Sequence, residues 1–325
     1  MNKQQFFVRV RRRFLLPAAL LISAAVLSAC SSSGNGSSIR VPDTSVTDST
    51  VKGTRDNTPD VLMPEASGSA ANGTDIVTVD SSNISKGYLM VRYTGTDEDP
   101  KILIAMPDGS NYYYHLHNSG EYETFPLTAG DGTYTVSILK NIQADQYALE
   151  FTEELNAAIA DPLTPYLYPS QYVNFNADSK AVAKGAELAY TANDDLTVIG
   201  NVYSFVAGTV TYDYSEAETV QSDYTPSPDR TLSSCKGICF DYAALMATML
   251  RSQKIPTRLE VGYAGTAYHA WVSCYVDEIG WVNGIIQFDG KNWTMMDPTF
   301  AASKGEKGVQ DYIGDGSNYK TKYVY

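Results

Sequence analysis

Positive charge is what this chain most lacks. Lys and Arg together number 24 against 37 Asp and Glu, a formal net charge of −13. That balance disfavours nucleic acid and other acidic polymers as partners and suits solubility outside the cell. Histidine numbers only 3 and cysteine 4, so each is weighed singly below. No internal repeat, P-loop or dinucleotide fingerprint is present, which argues against repeat arrays and nucleotide-binding enzymes.

The one long apolar run lies at the start. Lys3, Arg9, Arg11, Arg12 and Arg13 precede Phe14 to Val26, without an acidic residue. Residues 1–29 therefore read as an export signal. The segment ends Leu27-Ser28-Ala29-Cys30, which resembles a bacterial lipobox and implies cleavage before a lipidated Cys30. An ordinary cleavage site or an uncleaved anchor is the plainer reading. Arg11-Arg12-Arg13-Phe14-Leu15 also resembles a twin-arginine signal. The expected location is the bacterial cell envelope, lipid-anchored on the outer face of the plasma membrane or on the outer membrane. Removing the signal makes the chain more acidic still.

Residues 30–75 are rich in Ser, Gly, Asn, Asp, Thr and Pro and poor in core formers, so a disordered tether is expected. A flexible coil of that length spans about 35–40 Å. From residue 76 the texture changes to short alternating strands, at 88–93, 101–105, 112–117, 134–140 and 147–151, with turns between them. A β-sandwich-like domain over 76–155 follows. Its most conspicuous piece is Tyr112-Tyr113-Tyr114-His115-Leu116-His117. His115 and His117 share a strand face and could ligate a metal, or the tyrosines could stack ligands; an ordinary polar-aromatic strand face is the preferred account.

Over 156–325 the readings are a surface connector at 155–176, helices at 177–190 and 196–210, and a polar loop at 211–232. That loop is a candidate wall of a substrate groove. Lys236-Gly237-Ile238-Cys239-Phe240-Asp241-Tyr242-Ala243 opens a buried helix that Pro256 stops. A thiol at a helix N-terminus faces unpaired N–H groups that favour thiolate. Tyr268-His269-Ala270-Trp271 reads as a strand, and Trp293 to Asp297 as another, in a meander packed on the Cys239 helix. A nucleophile, a base and a carboxylate that orients the base are the parts of a catalytic triad.

Gly-x-Cys-x-Asp-Tyr-Ala, His-Ala-Trp and Asp-Pro-Thr, with Gly262-Tyr263 between them, resemble the transglutaminase-like superfamily over about the last half of the chain. The resemblance implies an α+β, papain-like core of helices packed on an antiparallel sheet. It also implies Cys239 as nucleophile, His269 as base and acid, and Asp297 as orienter. The activity implied is acyl transfer at amide carbonyls of a protein or peptide, with hydrolysis slightly preferred over transglutamination. No metal or organic cofactor is needed.

Plainer readings stay open residue by residue. Cys239 would be an inert buried thiol, His269 a satisfied sheet histidine and Asp297-Pro298 a turn. A metal site of Cys235, Cys239, His269 and Asp297 fits the usual zinc spacings poorly. A non-catalytic surface protein that binds peptide or glycan is the competing class. With Cys30 lipidated and Cys239 catalytic, Cys235 and Cys274 remain as an even pair in an oxidising place. Alternatively, Cys235 oxidises onto Cys239 and switches it off.

Overall fold

A computed structural model describes residues 7–9, 51–277, 279–283, 285–288, 293–296 and 319–325. Cys30 and Asp297 lie outside the described residues, as do most of residues 1–29, expected to be an export signal, and residues 30–50.

The first half folds as two facing antiparallel sheets. One is ordered β1 (Phe7–Arg9), β9 (Gln146–Ala157), β8 (Gly132–Gln143), β5 (Lys101–Ala105) and β6 (Asn111–His115). The other is β2 (Ala71–Gly73), β3 (Val77–Asp80), β4 (Tyr88–Tyr93) and β7 (Tyr122–Pro126). Alternation explains the packing: Ile102 and Ile104 of β5, and Tyr134, Val136 and Ile138 of β8, are all fully buried. Burying each such side chain contributes about 1.5–3 kcal/mol.

The tyrosine-rich strand obeys the same rule. Tyr112, Tyr114 and Leu116 point into the core, so Tyr112 and Tyr114 form no stacking platform. On the other face His115 pairs with Asp99 at 2.5 Å and His117 with Glu123 at 2.7 Å. Each histidine thus has its own carboxylate. Among the described residues no group of three potential metal ligands occurs.

The second half layers helices on a sheet. The helices are α1 (Lys180–Ala189), α2 (Asp195–Thr209), α3 (Tyr214–Thr219), α4 (Pro228–Ser234) and α5 (Cys239–Arg251). A two-residue parallel pair, β10 (Thr211–Tyr212) with β11 (Lys236–Gly237), joins the end of α2 to the start of α5. The sheet runs β14 (Gly280–Asn283), β13 (Ala267–Val276), β12 (Thr257–Ala264), β17 (Tyr319–Val324). A separate hairpin pairs β15 (Ile285–Phe288) with β16 (Trp293–Met296). Helices α3 and α4 lie where a continuous loop was expected over 211–232. They were hidden because each is under two turns, too short for a periodic signal.

Helix α5 is the axis of this half. Every residue from Asp241 to Arg251 is buried, which is why its sequence is apolar almost all round. Asp194 caps α2 by accepting from the Thr197 N–H at 2.7 Å. Asp229 of α4 accepts from the N–H groups of Lys180 and Ala181 and so caps α1 from outside. Arg251, 1 % exposed, donates to the carbonyls of Tyr168, Thr257 and Tyr325. These bonds tie the end of α5 to the connector and to the last strand. One cluster of buried apolar side chains runs from the sandwich through Tyr112, Tyr114 and Tyr325 into α5 and its sheet.

The tether expectation fails for its second part. Residues 51–70 form an ordered strap. The Gly53 N–H donates to the Tyr190 carbonyl, and Arg55 pairs with Asp195 at 2.6 Å. The Asp60 N–H donates to the Ser252 carbonyl, and the Glu65 N–H to the Tyr88 hydroxyl. The strap is held by backbone bonding and a close approach at Gly53, where a Cβ would sit 2.0 Å from the Ala192 oxygen. Composition does not report such bonding.

Candidate active site

The site is built from the start of α5. Cys239 is its first residue and is half-buried. Behind it, Asp241 folds back so that its Oδ2 accepts the Ile238 N–H at 2.9 Å. The Ile238 side chain has no acceptor, so the bond is returned by its carbonyl, which accepts the Asp241 N–H at 2.9 Å. Gly237 makes this possible, because a Cβ there would lie 2.6 Å from the Asp241 Cβ. The other Asp241 oxygen accepts from the Tyr224 hydroxyl at 2.7 Å, with the Arg230 guanidinium 3.6 Å away. Burial raises the Asp241 pKa, against the pull of those donors. The Tyr242 hydroxyl donates to the Val210 carbonyl at 2.6 Å and fixes α5 to the end of α2. The Gly-x-Cys-x-Asp-Tyr spacing is thus a device for holding one thiol at one place.

Two tyrosines from different layers stand near that thiol. Burial raises the pKa of Tyr212 on β10, and a thiolate at Cys239 raises it further. Tyr268 on β13 is raised by burial first, with smaller contributions from neighbouring tyrosines and Cys239. Both phenols stay protonated at neutral pH. Tyr268 directly precedes His269, so this end of β13 lies beside the start of α5.

His269 is 6 % exposed and registers opposite Gly262. Its ring stacks near Trp271, with centroids 6.2 Å apart, and meets Tyr319 of β17 at 6.4 Å. Ala270, Val272 and Cys274 take the other face and join the core round α5. Of the three expected catalytic positions, Cys239 and His269 are described and Asp297 is not.

The cysteine pairings are corrected. Cys235, Cys239 and Cys274 are all free. Cys235 is exposed, whereas Cys274 is buried and its thiol is pushed up to about 12 by burial. Nor does Cys235 reach Cys239. Lys236 and Gly237 form a strand, and Ile238 is extended at φ −94, ψ 176. Three extended residues separate the two Cα atoms by about 13 Å, against a disulfide limit of about 7 Å.

Residues 183–284 match the model of the transglutaminase-like superfamily. This segment is a transglutaminase-like domain. The matched segment includes Cys239 and His269 and ends before Asp297. The chain is also 30 % identical over 112 residues to the UPF0252 protein MJ1282 of Methanocaldococcus jannaschii, covering 30 % of this chain. The chain spans about a third of the length of that curated relative (32 %). Among solved structures, a candidate cysteine protease from Cytophaga hutchinsonii is 16 % identical, covering 70 % of this chain and 84 % of that one, with a TM-score of 0.34. The periplasmic domain of TgpA from Pseudomonas aeruginosa, bound to ethylmercury, is 15 % identical, covering 70 % and 97 %, with a TM-score of 0.30.

Sequence reasoning named the 211–232 stretch as a candidate wall of a substrate groove without naming residues in it. From that stretch Tyr224 and Arg230 engage Asp241, the support that sequence reasoning missed. The three-residue run Tyr212-Asp213-Tyr214, well upstream of the nucleophile, was too short to stand out.

Proposed function

We propose that the protein performs cysteine-dependent acyl transfer at amide carbonyls of protein or peptide substrates. Cys239 attacks the carbonyl carbon, and His269 takes the thiol proton and returns it to the leaving amine. Asp297 holds the imidazole in the productive tautomer. A thioester forms as the C–N bond breaks; water then releases the acyl group as an acid and regenerates the thiol. Hydrolysis is preferred over transfer to a second amine. The Cys239 backbone N–H at the start of α5 and the protonated Tyr212 hydroxyl are the donors assigned to the developing oxyanion.

The observation that carries this reading is a half-buried thiol on the first residue of a buried helix, held by Asp241 and flanked by Tyr212 and Tyr268. The test is iodoacetamide alkylation of Cys239, mapped by peptide mass between about pH 5 and 9, in wild type and His269→Ala. Rapid labelling at low pH that the histidine change slows supports the reading. Labelling that rises only like an ordinary thiol, alike in both proteins, refutes it and favours the non-catalytic binding role.

The reading extends to location. Lipid on Cys30 tethers the domain at the bacterial envelope, and Cys30→Ser should move the protein from the membrane fraction to the soluble one. Among the described residues no helix is long and apolar enough to cross a membrane.

A further inference from the structure

We propose that Tyr319 is a positioning residue for His269, and that the buried carboxylate of Glu260 fastens β17 to β12 so that the tyrosine ring reaches the imidazole. This rests on Cys239 and His269 acting as nucleophile and base, as read above. Strand β12 lies between β13, which carries His269, and β17, which carries Tyr319. Neighbouring strands stand about 4.8 Å apart, so a side chain on β17 must cross about 10 Å to meet one on β13. It can do so only where β12 is nearly bare on that face. The register supplies such a place: His269 lies opposite Gly262, and Tyr319 opposite Ala264. The Tyr319 ring accordingly meets Trp271 edge to face at 5.0 Å and His269 at 6.4 Å, while His269 and Trp271 stack at 6.2 Å. Three rings from two strands form one closed triangle.

A polar network on the same face fastens β17. Glu260 is 6 % exposed, and its two oxygens accept from the Ser273 hydroxyl of β13 at 2.5 Å and the Thr321 hydroxyl of β17 at 2.6 Å. One side chain therefore ties three strands together. A buried carboxylate is costly unless its oxygens are bonded, and this one is bonded to both neighbours only while β17 keeps its register. Thr321 and Tyr319 stand two residues apart and point the same way, so the bond at Thr321 fixes where the ring leaves the strand. Between them and Glu260 the β12–β17 pairing shifts register at Val261/Gly262. Gly262 lets the backbones close there, since a Cβ would lie 2.1 Å from the Lys320 carbonyl oxygen. A base must keep its nitrogen aimed at the proton it takes, and an imidazole turns about its side-chain bonds unless packing stops it. The Trp271 and Tyr319 rings supply that restraint.

The test reads iodoacetamide labelling of Cys239 in the full chain at about pH 6, where an unassisted thiol is almost wholly protonated, and at about pH 9, where it ionises without help. The first rate divided by the second measures what the base contributes, whereas lost access slows both alike. His269→Ala should lower this ratio most. Tyr319→Ala should lower it about tenfold and Thr321→Val about threefold, while Tyr319→Phe should stay within about twofold of wild type, because the ring does the positioning. In a His269→Ala background, Tyr319→Ala should change the ratio by less than about twofold, since no imidazole is left to hold. Buried Cys274 stays unlabelled while a variant is folded. If Tyr319→Ala exposes it, Thr321→Val decides, being a like-shaped change at an exposed position. A wild-type ratio in the deciding variant would overturn the inference and leave nucleophile and base standing. So would an equal fall with and without His269, the mark of general loosening. A ratio that His269→Ala itself left unchanged would remove both readings.

Discussion

Asp241 offers the sharpest test of how the candidate nucleophile is held. Replacing it with Ala removes the acceptor for the buried Ile238 N–H and for the Tyr224 hydroxyl. An orphaned buried donor costs about 1–3 kcal/mol. Tyr224 is half-buried and can turn to water, so its share is smaller. The sum is about 2–4 kcal/mol, or a fall of about 4–16 °C in Tm at this domain size. Asp241→Asn keeps one acceptor and should lose about half as much.

The pH response supplies a second reading. Because burial raises the folded-state pKa of Asp241 above 3.8, its contribution to stability is fully present below the unfolded pKa. It is lost as pH rises through the folded pKa. Wild type should therefore gain on Asp241→Asn as the pH falls towards about 4. Thermal melts followed by circular dichroism, with Cys239 labelling rates measured in parallel, would check both. A melt for Asp241→Ala within about 0.5 kcal/mol of wild type would refute the claim that this carboxylate anchors the start of α5.

Three further outcomes follow from packing. Gly53→Ala should lift the strap, because its Cβ meets the Ala192 oxygen; limited proteolysis should then cut within residues 51–66, where wild type resists, at a stability cost of about 1–3 kcal/mol. Cys274 should resist iodoacetamide at pH 8 in the folded protein and react once urea exposes it, its thiol being buried and raised to about 12; prompt labelling under native conditions would contradict the placement. Mild peroxide should not link Cys235 to Cys239, and Cys235→Ser should leave the oxidant sensitivity of Cys239 unchanged; a disulfide-linked peptide in the mass map would show that β11 opens.

Much of this was legible in one dimension. The strands at 88–93 and 101–105 declared themselves by alternation, and α1, α2 and α5 by apolar runs ended by caps or by Pro256. The thiol's position at a helix start was readable because Cys239 stands just before the apolar run from Ala243 to Leu250. The short helices α3 and α4 and the strap at 51–70 were not readable. The first two lack a period, and the strap is stabilised by Tyr190, Asp195, Ser252 and Tyr88, all distant in sequence.

The resemblance to the transglutaminase-like superfamily implied the α+β class, and the chain by itself determined the helix that presents Cys239 and the strand that carries His269. Those follow from periodicity and local steric rules, which act over a few residues. Only the tertiary structure decided that Tyr212 and Tyr268 approach the thiol from two layers, that Asp241 braces it, and that Cys235 stands too far away to silence it. Each of those depends on how separate elements pack, because a contact between layers leaves no local trace in the sequence.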